Sequence, residues 1–106
     1  MMAKYMYPAI FTKEDAGYSV RFPNLESCYT QGESIQDAFV MASDVLCLTL
    51  YNMEEEGAVI PAPSEASAIR TRKGEFVTLV PCDTLEYRQY CGSRADLPEK
   101  KKESTL

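Results

Sequence analysis

At 106 residues the chain is long enough for one small domain with a short extension, and too short for two domains. Its net charge of −5 argues against nonspecific binding to nucleic acid, whose phosphates demand a basic footprint. The charge is uneven: residues 1–65 hold three basic and ten acidic side chains, net −7, and residues 66–106 hold eight basic and six acidic, net +2. An acidic body of this kind suits a basic protein partner.

Residues 4–12, KYMYPAIFT, read as a first strand, with Tyr5, Tyr7, Ala9 and Phe11 on one face and Met6, Pro8 and Ile10 on the other. Pro8 cannot donate to a ladder, so its nitrogen should point to an edge or a bulge. Residues 13–17, KEDAG, form a polar turn that Gly17 can close with a positive φ. Residues 18–22 alternate strictly and make a second strand, so the first two strands form a hairpin. A short third strand covers 27–31.

Residues 34–57 then form the one long helix. Ser34 and Asp37 make a capping box, and Gly57 is a natural exit. Ile35, Ala38, Phe39, Ala42, Val45, Leu46, Leu50 and Met53 recur at helical spacing as a core stripe. A second line runs beside it: Asp37, Met41, Asp44, Leu48, Tyr51 and Glu55. It reads either as a broad core stripe with rim acids or as a docking surface, with apolar anchors among acids awaiting a basic partner.

The connection IPAPSEAS is rigid and superficial. Residues 75–80 are a fourth strand that Pro81 ends, and Asp83 and Thr84 can cap a short last helix, DTLEYRQYC. The predicted class is α+β, in the order β-β-β-α-β-α: a three-stranded antiparallel sheet, a long helix, a fourth strand returning beside the first, and a short C-terminal helix. The domain should span residues 1–91. Residues 92–106 read as a polar, disordered tail. A small core of this kind makes self-association an expected supplement.

Chemistry-bearing residues are sparse. Histidine is absent and the five glycines are scattered singly, so neither His-assisted catalysis nor a glycine-rich phosphate loop is expected. The four cysteines, at 28, 47, 82 and 91, form no CxxC pair. No metal or cofactor is expected, and Cys47 reads as a small buried hydrophobe of the helix. Residues 45–51, the longest apolar stretch, are too few to span a bilayer, so the chain reads as cytoplasmic with reduced thiols. Two other readings stay open: a stand-alone RNA-binding module stacking bases on Tyr5, Tyr7, Tyr18 and Tyr29, and a degenerate ribonuclease-H-like protein.

In order along the chain stand Tyr7-Pro8-Ala9, Gly17-Tyr18, Phe22-Pro23, Thr30-Gln31-Gly32 before the capped helix, Ile60-Pro61 and Pro63-Ser64 after it, and Phe76-Val77. This pattern, over about residues 5–90, resembles the HicB family of bacterial antitoxins. The resemblance implies a partial ribonuclease-H-like fold without catalysis. It also implies a partner, the HicA-type toxin, a small basic mRNA-cleaving ribonuclease, and assembly into homodimers or tetramers. Many members carry a C-terminal DNA-binding module. No amphipathic helix pair follows Tyr90, which leaves DNA binding in doubt.

Overall fold

The computed structural model describes residues 4–87. Strand β1 (Lys4–Glu14) turns at Asp15 and Ala16 into β2 (Gly17–Arg21), and the two pair antiparallel with Phe11 opposite Val20. Gly17 takes φ 139°, and a Cβ there would lie 2.2 Å from the Gly32 carbonyl oxygen, so both its conformation and its space require glycine. Strand β3 (Tyr29–Gly32) follows β2, and β4 (Glu75–Asp83) pairs with β1 over nine positions. The sheet order is β3-β2-β1-β4. The fourth strand therefore joins beside the first, as its alternation and position in the chain predict. Every pair is antiparallel, so no parallel crossover arises. Among the described residues no helix is long and apolar enough to cross a membrane.

Strand ends differ from expectation by up to three residues, and the largest difference is informative. Pro81 does not end the fourth strand; it lies within β4, opposite Met6. The register supplies the reason. Pro8 opposite Leu79 and Pro81 opposite Met6 fall on the same alternate set of rungs. Hydrogen bonding through the other set, carried by Tyr5, Tyr7, Ala9 and Phe11, leaves neither proline where a donor is required. The nitrogen of Pro8 then points toward β2, which pairs with β1 only from Ile10 onward. That of Pro81 points away from the sheet.

Helix α1 (Ile35–Glu56) is closed at both ends by side chain and backbone. The Ser34 hydroxyl accepts from the Asp37 N–H at 3.0 Å, and the Asp37 carboxylate accepts from the Glu33 N–H at 3.0 Å. At the C-terminus Gly57, at φ 70°, donates to the Glu54 carbonyl, and Ala58 donates to that of Met53. This pair of bonds is a Schellman motif, which glycine favours because it tolerates the left-handed turn. Asp83 accepts from the Leu85 and Glu86 N–H groups and so caps the short helix described over residues 84–87. The expected tail, 92–106, and the end of the short helix lie outside the described residues.

The buried line of α1 is Ala38, Ala42, Leu46 and Leu50, narrower than the eight-residue stripe read from periodicity. Val45 and Met53 are half-buried, while Ile35 and Phe39 are exposed. The cause is a close approach at the start of the helix. A Cβ on Gly32 would sit 2.4 Å from the Ala38 nitrogen, so α1 rests on the β3 backbone itself. With the helix that low, alanine fits beneath its first two turns; Ile35 stays exposed at its start, and Phe39 lies over buried Phe11 with ring centroids 6.5 Å apart while keeping one edge open. The core is completed by Tyr7, Ala9, Phe11, Val20, Phe22, Leu25, Cys28 and Val80. Asn24 and Ser64 exchange two hydrogen bonds and the Tyr7 hydroxyl donates to the Pro61 carbonyl, pinning the proline-rich connection after α1 to the body.

Gly32→Ala is expected to destabilise the fold by about 3 kcal/mol, because the obstructing atoms are helix backbone that cannot rotate away. A urea midpoint lowered in proportion, with an unchanged m-value, checks it.

Candidate functional site

Helical geometry fixes where the second line of α1 falls. At about 100° per residue, Asp37 and Glu55 lie opposite Leu46, and Met41, Asp44, Leu48 and Tyr51 cluster within about 40° of them. The line therefore lies not beside the core stripe but on the far side of the helix from it, facing outward. Exposure agrees: Met41 is 40% and Leu48 45% accessible, Asp37, Asp44 and Glu55 are exposed, and Tyr51 is half-buried. None of the six is part of the monomer core.

The six do not play one role. Asp37 is committed to the helix cap described above. The Tyr51 ring meets Tyr87 of the short helix edge-on, with centroids 5.6 Å apart. Met41, Asp44 and Leu48 line one side of an open groove of about 950 Å³. Its other walls include Met6, Pro81, Glu86 and Tyr87. Sequence reasoning missed these last residues. Ending the strand at Pro81 removed the wall it forms, and nothing in the spacing brings Met6 and Tyr87 to the same place. Cys47 also lines the groove and is half-buried rather than fully so.

Behind Tyr5, which lines the groove, one carboxylate joins three elements. An oxygen of Glu54 accepts from the Tyr5 hydroxyl at 2.7 Å and from the Thr84 hydroxyl at 2.9 Å. Burial, and then the hydrogen bond to Glu54, push the Tyr5 phenol well above its ordinary value. The joint ties α1 to the start of β1 and to the start of the short helix that follows β4.

The proposed tyrosine platform does not assemble. Tyr7 is buried, Tyr5 and Tyr18 are half-buried on the helix-covered face, and Tyr18 packs edge-on against Phe76. Only Tyr29, at 69% accessible, is open. One ring is core and two pack half-buried against it under the helix, so the four present no continuous open face on which bases could stack.

The model of a family described as "HicB_like antitoxin of bacterial toxin-antitoxin system" matches residues 5–83. A curated relative, Antitoxin HicB 2 of Photorhabdus laumondii, is 33% identical over 81 residues, covering 76% of this chain and 53% of the relative. The chain thus spans about half the length of that relative. Among solved structures, a toxin–antitoxin complex from Streptococcus pneumoniae superposes with TM-score 0.71 at 26% identity, over 97% of this chain and 80% of that one. The Burkholderia pseudomallei antitoxin HicB shares the fold, with TM-score 0.64 at 19% identity and 89% of each chain covered.

Two outcomes follow from the site. Tyr5→Phe should lower stability by about 1–2 kcal/mol at neutral pH through the lost hydrogen bond. The raised phenol contributes stability fully below its unfolded value of 10.0 and loses it as pH rises past that point. Urea midpoints measured across the alkaline range should therefore decline less steeply for Tyr5→Phe than for the parent chain. Asp37→Ala should cost about 1 kcal/mol of folding stability without any partner present, visible as a lower thermal midpoint.

Proposed function

The chain belongs to the HicB-like antitoxin family of bacterial toxin–antitoxin systems, and from that premise we propose that it neutralises a HicA-type, mRNA-cleaving toxin by covering it. The observation that carries this reading is the outward face of α1. Met41 and Leu48 stand open to solvent among the carboxylates of Asp37, Asp44 and Glu55, on a body whose first 65 residues carry net −7. Apolar side chains set among acids match a basic protein that also offers apolar ground, since burial supplies affinity and charge supplies steering and register. A charge distribution of this sign attracts the same cationic surface with which a ribonuclease holds RNA phosphates.

The contact residues are Asp44 and Glu55 facing Lys or Arg of the toxin, with Met41, Leu48 and Tyr51 as anchors. Asp37 contributes charge at the edge of the contact while holding the helix cap. The mode of action is occlusion, without catalysis by this chain, and its place is the cytoplasm, where mRNA is cleaved. A dimer or tetramer of the chain presents several such faces at once.

Binding and protection assays test the reading. Purified chain should bind a HicA-type toxin and suppress its cleavage of mRNA. Asp44→Lys should weaken binding by about 2 kcal/mol, roughly thirtyfold, mainly through a faster off-rate. Association should slow as salt is raised. Folded Asp44→Lys/Leu48→Ala protein with undiminished affinity retires the surface. A parent chain that leaves such toxins fully active retires the function.

A further inference from the structure

Cys47 and Cys82 are the two cysteines that line the groove, one on α1 and the other on β4. Contacts on either side bracket them on the groove wall. One helical turn before Cys47, the Ser43 hydroxyl donates to the Pro81 carbonyl at 3.4 Å. Two turns after it, Glu54 holds Thr84. Between these contacts the helix and the end of the strand run together, and both cysteines line the same groove. Both are free thiols, Cys82 is buried, and Cys47 is half-buried at the groove wall.

We propose that Cys47 and Cys82 form a redox-active dithiol, which peroxide closes into a disulfide between α1 and β4. The proposal does not depend on the toxin contact: a chain that bound no toxin would still close the bond.

The two sulfurs are unequal in the way the chemistry needs. The hydrogen bond from the Cys82 thiol, together with one from the Asp83 backbone, lowers the pKa of Cys47 despite its partial burial and the opposing charges of Asp44 and Asp83. Cys82 is held protonated by that same bond and by burial. Cys47 thiolate attacks one oxygen of hydrogen peroxide, the O–O bond breaks, hydroxide leaves, and Cys47 becomes a sulfenic acid. The Cys82 sulfur then attacks the Cys47 sulfur and the S–O bond breaks. The Cys82 proton leaves with the departing oxygen as water. In sum two thiols and one peroxide give one disulfide and two waters. Cys28 is excluded from this chemistry by its place across the fold. It is buried, its thiol faces the Val45 carbonyl, it accepts from the Thr49 hydroxyl, and burial raises its pKa.

The test uses the full chain with Cys91→Ser, which leaves three thiols, four less one. Hydrogen peroxide at low excess should reduce the thiol count from three to one. It should lower the intact mass by two hydrogens and yield a Cys47–Cys82 linked peptide on non-reducing digestion. Dithiothreitol should restore all three. Cys47→Ser and Cys82→Ala should each abolish the linkage, and Cys28→Ser should leave it intact; circular dichroism confirms that each variant is folded. Accumulation of sulfinate at Cys47 without a crosslink overturns the proposal. So does a crosslink through Cys28, or a disulfide between two chains.

Discussion

The fold depends on one close approach. Helix α1 begins directly on the backbone of β3, with Gly32 beneath Ala38 and no room for a β-carbon between them. This contact sets how low the helix lies and which of its residues can be interior. Ala38 and Ala42 fit beneath it, Leu46 and Leu50 fill the deeper space toward the other end, and everything on the opposite side of the helix is left outside. The outward position of Met41, Asp44 and Leu48 is thus a product of small residues elsewhere. Interiors are close-packed, so a helix seated at one end has little freedom to roll and bury a second stripe.

The three consecutive glutamates at the end of α1 show how one sequence feature divides into separate roles. By position all three oppose the helix dipole. Glu54 is turned inward and accepts from two hydroxyls, which converts an unfavourable charge into the joint between the long helix, the first strand and the short helix after the last strand. Glu55 and Glu56 stay exposed and extend the negative surface. The helix tolerates the arrangement because the Schellman closure at Gly57 satisfies the Glu54 and Met53 carbonyls.

Much of the architecture was legible in the residues because local signals agreed. Alternation in YSVRF and EFVTLV, the capping pair Ser34 and Asp37, and Gly57 marked the elements. The sheet order, with β4 beside β1, agrees with the expected return of the last strand. Two features were not legible. Periodicity alone counted Ile35 and Phe39 as interior, since it reports direction around a helix and not its height above a sheet. A proline also reads locally as the end of a strand. Whether a proline breaks a ladder depends on which rungs carry hydrogen bonds, and that is fixed by register against a distant partner. The same error hid half of the groove. The acids and apolar residues of the outward face were identifiable as a set, and the capping role of Asp37 with them, but only the fold shows that Asp44 lines a groove.

The place of Pro81 has a further meaning for how this molecule meets others. Among the described residues β4 has no neighbour beyond it, and an open border of this kind ordinarily invites foreign strands to attach by backbone pairing. A ring without an N–H, set near the C-terminal end of that border, interrupts the row of donors an incoming strand would need. Neighbouring chains are refused a zipper along its whole length, and at that end recognition falls to side chains.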